Sequence, residues 1–161
     1  MTTARDIARG ITKNIAKEIA GRVNILTNGG FENGTTGWTP QGTATIVEET
    51  GTVHSGSKSL KLTRGGAGNA AVQQGVATAI GVKYNASGWL FLGTGATIAF
   101  FHVGSTPFTT NLGLANSSAA GWNKYTLTFT AITTTSYIGS SLSDSTGDIM
   151  YLDDFEVYKA Y

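Results

Sequence analysis

Hydrophobic and polar positions divide the 161-residue chain near residue 23. Before that point Ala4, Ala8, Ile11, Ile15 and Ile19, with Ile7 beside them, step mostly by four, the period of a helix face. The pattern predicts an amphipathic helix from Thr3 to about Arg22. Thr3 can serve as N-cap with Asp6 three positions on, and Gly21 can close the other end.

After that point the period falls to two, the signature of strands. Ser59 to Thr63 puts Leu60 and Leu62 inward and Lys61 outward. Tyr84 to Leu92 sets Tyr84, Ala86, Gly88, Leu90 and Leu92 on one face and Asn85, Ser87, Trp89 and Phe91 on the other. Both faces of that strand carry bulk, so something must cover the outer one. Thr97 to Val103 alternates Ile98, Phe100 and His102 with Ala99, Phe101 and Val103. Trp122 to Thr130 sends Tyr125, Leu127 and Phe129 inward.

Shorter segments read as strands at Ala44 to Glu49, Ala70 to Val76 with Gln73 and Gln74 exposed, Thr110 to Leu114, Ser136 to Leu142 and Ile149 to Tyr158. Short strands at regular spacing predict an all-β antiparallel two-sheet β-sandwich, a jelly roll, preceded by one N-terminal α-helix. The division is residues 1–23 for the helix and 24–161 for the sandwich.

Between the two parts lies Asn28 to Trp38, which packs two Asn-Gly pairs, suited to turns with positive φ, around a Phe-Glu dipeptide. It closes on a Trp large enough to anchor a core. This stretch marks the start of the folded domain.

Composition sharpens the picture. The chain has 22 Gly and only 13% charged residues, as expected of many strands joined by turns. With no Cys, neither a disulfide nor a thiolate metal site can form. A net charge of +1 conceals an asymmetry: Arg5, Arg9, Lys13, Lys17 and Arg22 face only Asp6 and Glu18, leaving six bases against eight acids in the remainder.

The Ile stripe at Ile7, Ile11, Ile15 and Ile19 admits more than one use. It can lie on its own domain, or it can be buried against copies of itself, and Ile at seam positions favours three strands or more. The domain behind it looks complete, so self-association, as a homotrimer, is the expectation. The basic face carries no Trp or Phe and its charges sit singly, which argues against membrane insertion or nucleic-acid binding. The start of the chain has no signal-peptide pattern, and the expected site of synthesis is the cytoplasm.

Catalysis lacks parts. No Cys nucleophile exists, His54 and His102 have no Ser/Asp partners at a known spacing, and no phosphate-binding Gly-Lys-Ser/Thr loop occurs. A non-enzymatic protein is expected.

Several segments resemble one family. Asn-Gly-Gly-Phe-Glu-Asn-Gly with Gly37-Trp38, His-Ser-Gly-Ser-Lys-Ser-Leu at 54 to 60, Tyr84 with Ser87, Gly-Trp-Asn-Lys-Tyr at 121 to 125 and Tyr-Leu-Asp-Asp-Phe-Glu-Val at 151 to 157 follow the order seen in carbohydrate-binding modules of families 4, 9 and 22. The resemblance covers about residues 25–158. It implies a β-jelly-roll and one structural Ca2+ held by Glu32 and Asp153 or Asp154, with carbonyls near Gly30 and Lys58. Calcium accepts such a mixture of carboxylates and carbonyls.

It further implies glycan binding by stacking on exposed aromatic rings. The candidates are Trp89 and Phe91, with Phe101, Gln73 and Gln74 nearby; the same face could equally be a subunit interface. Trp38 and Trp122 match positions that pack into core or edge.

Modules resembling this family recur in phage tail fibres, tailspikes and capsid decoration proteins. The expected function is therefore a bacteriophage virion structural protein, made in the host cytoplasm. Its helix would attach to other virion proteins or trimerise, and its sandwich would meet host surface polysaccharide. The alternative is a stand-alone carbohydrate-binding module associated with a glycoside hydrolase system.

Overall fold

A computed structural model describes residues 23–142 and 145–160. The expected helix, with Ile7, Ile11, Ile15 and Ile19, lies outside the described residues. Those residues contain ten strands: β1 (Thr39–Gly42), β2 (Ala44–Glu49), β3 (Ser59–Arg64), β4 (Ala70–Ala77), β5 (Lys83–Leu92), β6 (Ala99–Gly104), β7 (Gly113–Ser117), β8 (Trp122–Thr130), β9 (Thr135–Leu142) and β10 (Ile149–Lys159). They form two five-stranded sheets, sheet 1 in the order β1-β4-β9-β6-β7 and sheet 2 in the order β2-β3-β10-β5-β8. Each described pairing is antiparallel, as the jelly-roll reading requires.

The period-two pattern decides which side chains meet between the sheets. Sheet 1 contributes Val72, Val76, Phe101, Val103, Ile138 and Leu142, while sheet 2 contributes Leu60, Leu62, Leu90, Phe129, Met150, Leu152, Phe155 and Val157, all buried. The turn Asn28 to Trp38 plugs one end of this core. Phe31, Trp38 and Phe155 form a ring cluster with centroids 5.0 to 6.0 Å apart. Trp38 Nε1 donates to the Asn28 carbonyl at 3.1 Å, so the indole satisfies its polar edge within the core.

Two departures have simple causes. Strand β1 carries Pro40 and is exposed throughout, so it shows no inward-outward alternation; it survives as an edge strand, where Pro is tolerated. In β10 a bulge between Asp153 and Glu156 adds one residue, with Asp154 at φ +48°. The bulge resets the alternation, so that Leu152 and Phe155 both point inward.

Candidate functional site

The carboxylates implied by the resemblance converge on one turn, His54 to Lys58. Glu32 Oε1 accepts from the backbone N–H of Ser57 and Lys58 at 2.9 and 3.1 Å, and its Oε2 accepts the Ser57 hydroxyl at 2.6 Å. The Ser57 hydroxyl, followed by the two N–H groups, holds the Glu32 carboxyl below its ordinary value. At the other end of the turn, Asp153 Oδ2 accepts from His54 N at 2.9 Å and Ser55 N at 3.1 Å, and its Oδ1 accepts from Asp154 N at 2.8 Å. Asp153 is fully buried, and that burial pushes its carboxyl up despite the three N–H donors.

Asp154 bonds His54 Nδ1 and the Ser55 hydroxyl, both at 2.7 Å. Gly30 stands beside Asp154: a Cβ there would lie 3.8 Å from Oδ1. Lys58 reaches the clasp through its N–H, while its Nζ pairs with Glu48 at 3.0 Å.

Glu32, Asp153, Asp154, Gly30 and Lys58 are thus brought together, but as a hydrogen-bonded clasp. In this arrangement the carboxylate oxygens accept from N–H and O–H groups of the turn, whereas calcium would need six to eight oxygens turned towards one point. Among the described residues no group of three or more acidic or histidine side chains is arranged to hold a metal.

The aromatic candidates separate. Trp89 and Phe91 project from the outer face of sheet 2, as their alternation predicts, and are half-buried. Trp89 is covered by the His54 ring, stacked on it at 3.9 Å and 21°. The cover required over this face is therefore supplied in part by the chain's own turn. Phe91 meets Trp122 at 5.6 Å and Tyr151 at 5.8 Å, both edge-on. Trp122 accordingly lies half-buried on the outer face of edge strand β8 rather than in the core.

Three candidates do not accompany them. Phe101 is fully buried between the sheets, against Tyr125 and Phe155, because Ala99, Phe101 and Val103 are the inward set of β6. Gln73 and Gln74 belong to sheet 1 and are buried rather than exposed. Gln74 bonds both backbone groups of Thr27, its Oε1 accepting from N at 2.6 Å and its Nε2 donating to O at 2.8 Å, so it is spent on the fold. Gln73 Oε1 accepts from Phe108 N at 2.9 Å and pins the loop after β6 onto the sheet.

That loop completes a pocket of about 270 Å³ on the outer face of sheet 1, lined by Gln41, Gly42, Asn69, Ala71, His102, Phe108, Thr110 and Ser141. The lining is one aromatic ring, one imidazole and a set of uncharged amides and hydroxyls. Phe108, among the lining residues, is half-buried and holds φ +60°, unusual for a bulky residue.

His102 is nearly buried and its Nδ1 has no hydrogen-bond partner. Burial lowers its pKa to about 4, partly opposed by a hydrogen bond to the Ser140 backbone, so the ring is neutral at ordinary pH. Phe100 and Tyr137 stand half-buried on the same outer face. The alternation of β6 puts His102 on the same face as Phe100 without telling which face is outward, and nothing in the sequence near Pro107 marks Phe108 as a pocket residue.

A jelly-roll sandwich with an aromatic-walled, uncharged polar pocket on one sheet defines a class of non-covalent ligand-binding domain. The chain belongs to the carbohydrate binding domain family that joins modules 4 and 9, whose sequence profile matches residues 23–138. No curated protein matches the sequence.

Among solved structures it is similar to the module TmCBM61 in complex with β-1,4-galactotriose, with 21% identity, 85% of this chain and 99% of that one covered, and a TM-score of 0.66. It is also similar to the C-terminal family 22 module of Clostridium thermocellum Xyn10B, at 18% identity over 81% of this chain and 89% of that one, with a TM-score of 0.65. A third similar structure is the enzymatically active domain of bacteriophage CBA120 tailspike protein 4: 16% identity, 86% of this chain, 22% of that one, TM-score 0.64. At these identities the likeness is one of fold.

Proposed function

We propose that the chain binds a host-surface glycan in the pocket on the outer face of sheet 1, as a non-enzymatic component of a bacteriophage virion, of tail-fibre, tailspike or capsid-decoration type. The observation that carries the binding site is the pocket itself, whose lining combines the aromatic residue Phe108 with the uncharged polar residues Gln41, Asn69, Thr110 and Ser141. Family membership supplies the ligand class. The virion setting is supported by the likeness to one domain of a phage tailspike.

In this reading residues 1–22 associate as a homotrimer through Ile7, Ile11, Ile15 and Ile19 or engage other virion proteins, and the half-buried Phe91, Trp122 and Tyr151 offer a surface for neighbours. A second reading, a module serving a glycoside hydrolase, is favoured by the modules of Xyn10B and Xyn10C and by an α-L-arabinofuranosidase among the similar structures.

The test is retention of the full chain on host surface polysaccharide, with sedimentation of the same sample. Retention that Phe108→Ala abolishes, by a trimer, supports the proposal. Retention unaffected by Phe108→Ala places the site elsewhere, and a full-length monomer removes the trimer. Retention on plant cell-wall polysaccharide but not on host polysaccharide favours the second reading.

A further inference from the structure

We infer that the end of the sandwich from which residue 23 leaves, carrying Val23, Ile80 and Ile132, is a contact surface between copies of this chain. The inference rests on the proposed homotrimer through Ile7, Ile11, Ile15 and Ile19, and deepens it by naming where the sandwiches themselves meet.

The exposed apolar side chains are unevenly placed. Among the described residues six large hydrophobic side chains are exposed, and Val23, Ile80 and Ile132 are the three most open, each by more than half. Register puts all three at one end. Lys159 pairs with Tyr84 and Lys83 with Thr130, so the start of β5 lies beside the ends of β10 and β8. Ala77 pairs with Thr135, so the end of β4 lies beside the start of β9. Ile80 joins β4 to β5 and Ile132 joins β8 to β9, while Val23 stands two residues before Ile25, whose N–H donates to the Val157 carbonyl near the end of β10.

Apolar residues scattered singly over a surface need no account, but three at one end do. The two turns, Thr78-Ala79-Ile80-Gly81-Val82 and Ala131-Ile132-Thr133-Thr134, contain no charge and neither Asn nor Asp, although turn tips ordinarily take polar residues. At the opposite end residues 65–69 and 117–121 read Gly-Gly-Ala-Gly-Asn and Ser-Ser-Ala-Ala-Gly, and none of the six lies there. The apolar turns are also braced against each other. Gly81 N donates to the Ala131 carbonyl at 2.8 Å, Ala131 N to the Val82 carbonyl at 3.0 Å, and Thr78 N to the Thr134 carbonyl at 2.9 Å. A surface ordered in advance costs little further ordering on association.

The length of the connection selects the occupant. Asn24 is fixed to β10 by its bonds to Phe155 and Val157. It stands five positions after Ile19, a reach of at most about 18 Å. Copies joined through the Ile stripe therefore hold this end of every sandwich close to the shared axis, at a high effective concentration for its neighbours. Aliphatic patches of no charge do not repel one another there. Lys83 and Lys159, exposed where β5 starts and β10 ends, supply the polar rim of such a contact.

The test uses the full chain, which has no Cys of its own, so that any disulfide reports an introduced residue. Ile80→Cys and Ile132→Cys are oxidised mildly at micromolar concentration beside Ala119→Cys, which lies at the opposite end, and the products are separated without reductant. Disulfide-linked dimers at positions 80 and 132 but not at 119 support the inference. So does a rise of at least about tenfold in the trimer dissociation constant of the double variant Ile80→Lys/Ile132→Lys, read by sedimentation.

Cross-linking no greater at 80 and 132 than at 119 within an intact trimer overturns the inference and leaves the trimer standing. So does a double variant that associates as tightly as the parent. A full-length monomer in which neither cysteine cross-links, as when the chain's own residues 1–22 cover this end, overturns both the inference and the trimer beneath it. The cysteines replace exposed turn residues, and the parent's sedimentation is read without any substitution, so the outcome does not hang on one variant's folding.

Discussion

His54 lies flat on Trp89, the ring centroids 3.9 Å apart. The stack is held from behind by Asp154, which bonds His54 Nδ1, and by Asp153, which takes the His54 N–H. The aromatic ring that the sequence recommends most strongly as a sugar platform is therefore already stacked. Trp89→Ala is expected to cost about 2 kcal/mol of stability, the value of a partly buried aromatic and its stack. Glycan affinity should stay within about twofold of the parent, since removing one hydrogen bond or stacking ring from the true site would weaken binding by more than that. Thermal melting and calorimetric titration read the two effects separately, and loss of binding without loss of stability would return the site to sheet 2.

Phe108 gives the opposite pairing. A bulky side chain at φ +60° is strained, and strain kept at a pocket wall points to function. Phe108→Gly should leave the melting temperature level or slightly raised, because glycine adopts this backbone freely. Glycan affinity should fall roughly tenfold with the loss of the stacking ring. A variant that melts earlier and binds normally would make Phe108 a structural residue.

Acid should weaken the fold through His102. Its folded pKa, about 4, lies below the unfolded value of 6.5, so between these the unfolded chain binds more protons. The resulting stability is present above pH 6.5 and is lost as pH falls towards 4, by at most about 3 kcal/mol. Asp153, raised by burial, runs the other way, its folded state binding the extra proton above its unfolded value of 3.8. The comparison to make is denaturant unfolding of the parent against His102→Phe at pH 7 and pH 4.5: the variant should show the smaller loss, and equal losses would remove His102 as the source.

Calcium chelation should not move the melting temperature, because Glu32, Asp153 and Asp154 are satisfied by N–H and O–H donors. Glu32→Ala, which frees Ser57 N, Lys58 N and the Ser57 hydroxyl together, should lower it by a few degrees. A drop on chelation that added calcium reverses would show that the turn opens to admit the ion.

Much of the fold was legible because its strands are half-covered and alternate. Ser59–Arg64, Lys83–Leu92 and Trp122–Thr130 declare their inward faces residue by residue, and Trp38 reads as core. The site was less legible for three physical reasons. Phe100 and Phe101 are adjacent and chemically alike, so only tertiary placement decides which faces out; it is Phe100, with His102. Gln73 and Gln74 are polar yet buried, since each meets a backbone group far along the chain, and no local pattern carries that. Trp89 looks bare in sequence because its cover, His54, comes from a turn 35 positions away and is placed by Asp153 and Asp154 rather than by its neighbours.

The segment leading into the sandwich is stitched to its last strand. Asn24 Nδ2 donates to the Phe155 carbonyl, Asn24 Oδ1 accepts from Val157 N, and Ile25 N donates to the Val157 carbonyl. Residues 24 and 25 thus continue, beside β10, the row that β3 leaves after Leu152. A tether fastened at residue 23 would pull on sheet 2, while the pocket opens from sheet 1. Force applied there would be borne by sheet 2, and the pocket on sheet 1 would stay clear of it.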